Sequence, residues 1–279
     1  MSVALLAFDL DGTTVCNDHH TISNRNITAL EKAHAEGIEL VPATGRAQGR
    51  LPEFLFRLPI RYLITSNGAK ITCLPGNEIL YENTMSLSLA EQILEQLKPY
   101  PVYWEFYVQG CCYVDASMEP VFSKLPFSKG RLEMMAKNRI VQENLLQFVK
   151  NQDLRIEKLN LPYLPPEYQE PIHLLLEKFP NIAVTSSLPQ NAEINGAACN
   201  KGAALMYLCK YLNIKPEQVM ALGDNGNDIE MLQFAGISAV PSNADPCVKG
   251  SAWEIPATNE ESALAIAVEK WCGLLSPQK

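Results

Sequence analysis

Short, continuous runs of apolar residues recur near both ends of the chain, and most of them end in polar residues or glycine. Runs of about four to eight apolar residues are typical of strands buried on both faces of a parallel sheet. Helix-like spacing of apolar positions, every three or four residues, separates several of these runs. The pattern predicts an α/β fold with right-handed crossovers and strands at residues 3–8, 38–43, 62–65, 219–222 and 237–240.

Helix boundaries are indicated by capping residues and glycines. Ser23 is a predicted N-cap for the first helix, which Gly37 ends. A helix is also predicted over residues 46–57, with Pro52 tolerated only in its first turn. Two further helices are predicted, one opening at Asn200-Lys201-Gly202 and one over residues 260–271.

The middle of the chain has a different pattern. Residues 102–108 alternate in polarity and are rich in aromatic side chains, which suits an antiparallel strand. Residues 161–171 contain four prolines and predict an irregular connection. Helices are predicted at 88–97 and 172–178 and further strands at 154–159 and 182–185, while a hairpin predicted at 71–81 lies before this stretch. This mixture predicts an inserted α+β domain over residues 84–190, with residues 1–83 and 191–279 forming the α/β core.

Composition narrows the class of protein. The chain has 279 residues, of which 47% are hydrophobic and 19% charged, so it is globular and long enough for a sizeable core. The net charge of −8 disfavours nucleic acid and anionic membranes as partners. No apolar run is long enough to cross a bilayer, and no signal-peptide pattern is present. Eight cysteines without a Cys-x-x-Cys pair predict reduced thiols and a cytoplasmic location.

Polar side chains gather where predicted strands end. Asp9 and Asp11 follow the first strand, Thr44 the second, and residues 223–228 a later one; Lys201 lies at a helix start. Open α/β sheets bind ligands at the carboxyl ends of their strands. Neighbouring carboxylates repel one another unless a cation holds them, and Mg²⁺ prefers one or two carboxylates plus water and phosphate oxygens. The alternative for Asp9 and Asp11 is a polar turn.

Lys201 and Thr44 each have a simpler structural interpretation as an alternative to a binding role. Lys201 lies at a helix N-terminus, where the helix dipole disfavours a cation, so a bound anion would explain it; the alternative is a solvent-facing lysine. Thr44 can donate a hydrogen bond to a phosphate oxygen or cap a helix. The pair His19-His20 is interpreted as part of a solvated loop rather than a metal site.

Together these segments resemble the four motifs of the haloacid dehalogenase superfamily, and the large insertion together with Ser66-Asn67-Gly68-Ala69 resembles its Cof-type phosphatases. The resemblance covers the whole chain and implies a doubly wound, mostly parallel Rossmann-like core with an inserted cap. One departure is Val240-Pro241-Ser242-Asn243-Ala244, where Met-Gly-Asn-Ala is usual. The four matching segments are Asp9-Leu10-Asp11-Gly12-Thr13, Ala43-Thr44-Gly45-Arg46, Asn200-Lys201-Gly202 and Gly223-Asp224-Asn225-Gly226-Asn227-Asp228.

The resemblance implies a role for each residue. Asp9 would attack phosphorus and form an aspartyl-phosphate, and Asp11 would act as general acid and then general base. Mg²⁺ would be held by the carboxylates of Asp9 and Asp224 and by the backbone carbonyl of Asp11, while Asp228 would support it through its waters. The residues implied to bind the phosphoryl group are Thr44, Gly45, Lys201 and Asn227.

These implications define the expected function as a Mg²⁺-dependent phosphatase of small phosphorylated metabolites such as sugar phosphates. The expected protein is a monomer or homodimer whose partner is the metabolite, and the inserted domain is expected to set substrate choice. A phosphomutase would use the same site, and a non-catalytic sugar-phosphate-binding protein would need no turnover. A dehalogenase is disfavoured by Asp11 and by the acidic loop at 223–228.

Overall fold

The computed structural model describes residues 2–137, 139–186, 190–250 and 252–272. The strands are β1 (Leu5–Phe8), β2 (Glu39–Pro42), β3 (Tyr62–Thr65), β4 (Lys70–Cys73), β5 (Glu78–Glu82), β6 (Glu105–Val108), β7 (Cys111–Asp115), β8 (Arg139–Gln142), β9 (Ile156–Leu161), β10 (Ile182–Thr185), β11 (Ala192–Gly196), β12 (Val219–Leu222), β13 (Ile237–Val240) and β14 (Trp253–Glu254). The helices are α1 (Asn24–Ala35), α2 (Leu87–Leu97), α3 (Glu119–Phe122), α4 (Lys129–Lys137), α5 (Leu145–Asn151), α6 (Pro166–Leu176), α7 (Lys201–Leu212), α8 (Ile229–Phe234), α9 (Pro246–Lys249) and α10 (Ala263–Trp271).

The chain divides into two compact units. The first comprises the described residues of 1–45, 51–82 and 200–279, and the second comprises those of 46–50 and 83–199. The predicted boundaries placed residues 46–50, residue 83 and residues 191–199 in the core instead. They belong to the second unit because β11 pairs with β9 and β10, and because Gly49 N donates to Gly110 O at 2.8 Å.

The first unit is built on a parallel five-stranded sheet in the order β14-β13-β12-β1-β2. Phe8, the last residue of β1, lies opposite Leu222 on one side and Pro42 on the other. The polar residues that follow these three strands therefore lie at one edge of the sheet. An antiparallel sheet, β3-β4-β5, continues from β2 through a parallel bridge between Ala43 and Ile64.

Helices cover both faces of the parallel sheet. Leu6 and Phe8 of β1 point into a core shared with α1 and α10, while Leu5 and Ala7 point into a core shared with α7 and α8. Burial on both faces explains why β1 and β12 are apolar throughout rather than alternating. The predicted α/β fold with a mostly parallel sheet and an inserted α+β unit is confirmed.

The second unit contains a six-stranded sheet in the order β10-β11-β9-β6-β7-β8, antiparallel except for the β7–β8 pair. One face of this sheet packs against α2, α5 and α6 around Phe106, Leu159 and Ile194. In the described part of the chain, no helix is long and apolar enough to span a membrane. All eight cysteines are free thiols.

Two predicted elements differ from the structure. The helix predicted over residues 46–57 is wrong: that segment forms two 3-10 turns, Gln48–Arg50 and Glu53–Arg57. Pro52 disfavours helical geometry at the residue before it and lacks an N–H group, so it separates the two turns. The proline-rich connection predicted at 161–171 is also partly wrong, because α6 begins at Pro166, and proline suits the first turn of a helix.

Candidate active site

Asp9, the residue directly after β1, is the first residue of the candidate site along the chain. Its backbone N donates to Leu222 O at 2.9 Å, which continues the β1–β12 ladder, and Thr14 Oγ1 donates to its carbonyl at 2.6 Å. The backbone N–H groups of Thr14 and Val15 both donate to Leu10 O at 2.9 Å, so the chain turns sharply after Asp9. The Asp9 residue is only 5% exposed.

Gly12 allows the first loop to lie against Asp224. Its φ of +74° is in the left-handed region, and a Cβ at this position would lie 2.2 Å from Asp224 Oδ2. Thr13 Oγ1 donates to Asp224 Oδ1 at 2.8 Å. A side chain on residue 12 is therefore excluded by contact and disfavoured by backbone strain. The role of Thr13 was not predicted, although it lies in the first motif.

Lys201 lies in the first turn of α7, where Asn200 Oδ1 caps the helix by accepting from Ala203 N at 2.7 Å. Its ammonium group donates to Asp9 Oδ1 and to Asp228 Oδ1, both at 2.7 Å, and the side chain is fully buried. The alternative of a solvent-facing lysine is wrong. The cation at a helix N-terminus is stabilised by these two carboxylates rather than by the helix dipole.

Asp228 organises the loop after β12. Its Oδ1 accepts from Lys201, and its Oδ2 accepts from the backbone N of Asp224 at 2.9 Å and of Asn225 at 3.1 Å. A Cβ on Gly223 would lie 2.4 Å from the Asp228 Cγ, which explains the glycine. Asp228 therefore holds both the lysine and the backbone that carries the Asp224 carboxylate.

Three carboxylates, two of them buried and that of Asp224 partly buried, come together at this edge of the sheet. Asp9, Asp224 and Asp228 each offer an oxygen, and these oxygens lie within 4.8 Å of one another. Burial raises the pKa of Asp9 well above its ordinary value, because the effect of Lys201 only partly offsets it. Burial, with repulsion from Asp228, raises the pKa of Asp224 to about 7. The raised pKa values show that Lys201 does not supply enough positive charge to stabilise these carboxylates, and a hard divalent ion would supply it.

The Asp11 carboxylate lies apart from that group and contacts His19, with 2.8 Å between Asp11 Oδ1 and His19 Nδ1. Both side chains are substantially exposed. His19 has a φ of +61° in a turn where its N donates to Cys16 O at 2.9 Å. The interpretation of His19-His20 as loop residues agrees with this exposure, but the contact with Asp11 was not predicted.

Thr44 and Asn227 are both buried on this side of the sheet and are connected through Asn67. Asn67 N donates to Thr44 O at 3.1 Å, and Asn227 Nδ2 donates to Asn67 Oδ1 at 3.2 Å. Ser66 and Asn67 have positive φ angles, +51° and +60°. Asn227 Oδ1 is buried and has no hydrogen-bond partner among the described residues. Gly45 follows Thr44 and is half-buried.

The unusual segment 240–244 also contacts the site. Asn243 Nδ2 donates to Gly12 O at 2.8 Å, and Asn243 Oδ1 accepts from Asn259 N at 2.9 Å. Asp245 N donates to Asp224 O at 2.8 Å. Asn243 therefore supports the first acidic loop, and Asp245, the residue directly after the segment, supports the second.

A family model of haloacid dehalogenase-like hydrolases matches residues 6–268. The chain belongs to this family. The 5-amino-6-(5-phospho-D-ribitylamino)uracil phosphatase YcsE of Bacillus subtilis is 28% identical over 97% of this chain and 96% of its own length. Phosphatase YwpJ of the same organism is 30% identical over 94% of this chain and 97% of its own. The predicted superfamily and enzyme class, a haloacid dehalogenase-type phosphatase, are confirmed.

Solved structures agree with this assignment. A haloacid dehalogenase-like hydrolase from B. subtilis aligns with a TM-score of 0.83 and 26% identity, covering 96% of this chain and 99% of its own. The haloacid dehalogenase subclass IIB sugar phosphatase BT4131 aligns with a TM-score of 0.79 and 25% identity, covering 96% of this chain and 98% of its own.

Proposed function

We propose that this protein is a Mg²⁺-dependent phosphatase that hydrolyses small phosphorylated metabolites through an aspartyl-phosphate. The observation that carries the proposal is the buried Asp9 carboxylate at the end of β1, next to Lys201, Asp224 and Asp228. A carboxylate held in this way is a competent nucleophile, and the ammonium group beside it stabilises the charge of a transferring phosphoryl group.

In the proposed first step, an Asp9 oxygen bonds to phosphorus as the bond from phosphorus to the leaving oxygen breaks. Asp11 gives a proton to that oxygen, and the leaving group departs as an alcohol. Asp11 then takes a proton from water, whose oxygen attacks phosphorus and releases inorganic phosphate and Asp9. Thr44, Gly45, Lys201 and Asn227 are proposed to bind the phosphoryl oxygens, and the Asn227 amide lies in a buried polar setting beside Asn67.

The proposed metal is Mg²⁺, held by the carboxylates of Asp9 and Asp224 and by the Asp11 carbonyl, with Asp228 in support. When bound, the ion would neutralise phosphoryl charge. The three carboxylate oxygens within 4.8 Å of one another support this proposal because they outnumber the one lysine, Lys201, that pairs with Asp9 and Asp228 among the described residues. Mg²⁺ suits carboxylates that share their coordination with water and phosphate oxygens.

The proposed substrates are phosphate monoesters of sugars or similar small polar molecules. Relatives support this class: YcsE acts on a phosphoribitylamino compound, BT4131 is a sugar phosphatase, and an HMP-PP phosphatase of Cronobacter sakazakii is 26% identical over 94% of this chain. We propose that the protein works in the cytoplasm, as a monomer or homodimer, and that the second unit is a cap that selects the leaving group.

A panel of phosphorylated metabolites tests the function. Each compound is incubated with the protein and Mg²⁺, and both inorganic phosphate and phosphorylated isomers are measured. We expect phosphate release from a subset of the panel. Isomer formation without phosphate release would show a phosphomutase, and binding without turnover would show a non-catalytic protein; either result would overturn the proposal.

A further inference from the structure

Residues 16–21 form a tight turn, the histidine turn, that carries His19. Cys16 N donates to Thr21 O and His19 N donates to Cys16 O, both at 2.9 Å. Asp18 Oδ1 accepts from Thr21 N at 2.8 Å. These bonds hold His19 at a φ of +61°, a conformation that is uncommon outside glycine and persists only where the surrounding structure enforces it. The turn therefore keeps His19 in one backbone conformation.

A buried asparagine ties the histidine turn to the loop that carries Asp11. Asn259 is only 3% exposed, and its Nδ2 donates to Asn17 Oδ1, within the turn, at 3.1 Å. Its backbone N donates to Asn243 Oδ1 at 2.9 Å, and Asn243 Nδ2 donates to Gly12 O at 2.8 Å. Gly12 directly follows Asp11 in the chain. The two backbones that carry the acid and the imidazole are therefore held by the same buried residue.

The direction of the hydrogen bond between His19 and Asp11 follows from its atoms. Asp11 Oδ1 lies 2.8 Å from His19 Nδ1. An ionised carboxylate only accepts hydrogen bonds, so Nδ1 carries the hydrogen and donates. A protonated carboxyl group still has an oxygen that accepts, so the same bond persists after Asp11 takes up a proton. His19 can therefore hold Oδ1 in both protonation states of the acid.

Holding one oxygen decides which oxygen transfers the proton. A general acid must present its proton to the leaving oxygen within hydrogen-bond distance, and the rotation of the carboxyl group sets that distance. With Oδ1 bonded to the imidazole, the bond from Oδ2 to hydrogen breaks in the first step, when the leaving oxygen takes the proton. In the second step, Oδ2 takes a proton from the attacking water. The imidazole neither gains nor loses a proton in this scheme.

We propose that His19 is a positioning residue for Asp11, which holds Oδ1 so that Oδ2 performs both proton transfers. The inference rests on the proposed function, because that function makes Asp11 the general acid and base. It adds a residue that lies outside the four segments matching the family motifs. Both residues belong to the first unit, so the contact does not depend on the second.

The contact is tested in solution without catalysis. Protein labelled with ¹⁵N-histidine is studied by NMR with Mg²⁺ present, at alkaline pH where an ordinary imidazole is neutral. Long-range correlations between ring hydrogens and nitrogens show which nitrogen of His19 carries hydrogen, and the signals are assigned by their loss in His19→Asn. We expect hydrogen on Nδ1 and a change of its signal in Asp11→Ala. An Nδ1 without hydrogen, or a signal unchanged in Asp11→Ala, would overturn the proposal.

Kinetics distinguish positioning from a general effect on the fold. The best sugar ester of the panel has an alkoxide leaving group that needs a proton, whereas the nitrophenolate of p-nitrophenyl phosphate leaves without one. His19→Gly removes the imidazole and is free of strain at a positive φ. We expect kcat/KM to fall about tenfold on the sugar ester and less than about twofold on p-nitrophenyl phosphate. Equal losses on both esters would indicate a structural role and overturn the proposal.

His19→Asn and His19→Asp form a matched pair of variants. The two side chains have the same shape and both tolerate the φ of +61°, but only the amide donates a hydrogen bond to Asp11. We expect His19→Asn to keep kcat/KM on the sugar ester within about threefold of wild type, and His19→Asp to be as slow as His19→Gly. Equal rates in the matched pair would contradict the proposal. The control is His20→Gly, which adds the same backbone freedom at an exposed position of the same turn and should leave both rates unchanged.

These measurements separate the failure of this inference from the failure of the proposed function. If wild-type protein releases no phosphate from any ester, the proposed function is wrong, and the role of His19 is wrong with it. If wild-type protein releases phosphate and His19→Gly keeps the wild-type ratio of kcat/KM values for the two esters, only the role of His19 is wrong.

Discussion

Each unit buries a group of charged side chains, and the two groups differ in charge balance. In the first unit, the carboxylate cluster of Asp9, Asp224 and Asp228 faces a single buried cation, Lys201. In the second, Lys158 is paired with Glu193 and Arg50 with Glu105. Excess negative charge indicates a site for a cation, whereas the paired charges of the second group balance one another.

Removing divalent metal should have the largest effect, because the carboxylate cluster carries negative charge that Lys201 does not balance. With excess EDTA we expect phosphate release to vanish and to return when Mg²⁺ is added in excess. Ca²⁺ should substitute poorly, since it accepts six to eight looser ligands and Mg²⁺ demands octahedral geometry. Full activity in EDTA would contradict a metal role for the cluster.

Asp9→Asn should fold and lose phosphate release by more than about 10³-fold, because an amide is nearly the same size as a carboxylate but a poor nucleophile. Phosphate release is measured on the best substrate of the panel. Asp153→Asn is the control, since Asp153 is exposed and its φ of +50° suits asparagine. Wild-type rates for Asp9→Asn would refute the nucleophile assignment.

Gly12→Ala should reduce activity by about 10²-fold, because the new Cβ would displace the Asp224 carboxylate and a misplaced catalytic group costs this much. Gly37→Ala has the same type of backbone, with a φ of +84°, but nothing within 4 Å of its Cβ. We expect the control to lose about 1–2 kcal/mol of stability and to keep its activity. Equal activity losses in both variants would show that backbone strain alone is responsible.

Lys201 and Lys158 allow the two groups of charged side chains to be compared directly. Lys201→Met and Lys158→Met each leave buried carboxylates without their cation, so each should lower the free energy of unfolding by about 3–5 kcal/mol. Mg²⁺ should restore part of the stability of Lys201→Met and none of that of Lys158→Met. Denaturant titrations with and without Mg²⁺ measure the free energy of unfolding of each variant. An equal effect of Mg²⁺ on both variants would contradict the difference between the two groups.

Replacing the second unit should change the preference among substrates more than the ability to hydrolyse a phosphate ester. We propose substituting residues 83–199 by a Gly/Ser linker, bounds that keep β11 with its partner strands. The proposed catalytic residues lie in the first unit. The variant with the linker should therefore keep some activity on p-nitrophenyl phosphate and lose its preference among metabolites. An unchanged preference profile would show that the second unit does not select substrates.

The pattern of residues within each segment explains which elements could be predicted from the sequence and which could not. The apolar runs of β1 and β12 are buried on both faces, and those of β2 and β13 are partly so, and the pattern of apolar residues alone predicted all four strands. Segment 46–57 was misjudged because apolar spacing favoured a helix that Pro52 interrupts. Strand β11 was not predicted, because polar Glu193 and Asn195 alternate with its apolar residues and are themselves buried.

The sequence by itself determined four of the five strands of the parallel sheet and the inserted α+β pattern, because these depend on neighbours along the chain. It also determined the residue types of the site. Only the tertiary structure decided which groups meet. Lys201 contacts Asp9, Asn243 supports Gly12, and Arg50 joins Glu105 through folding that brings distant segments together. Unpaired atoms such as Asn160 Oδ1 are visible only there, since pairing depends on position in space and not on residue type.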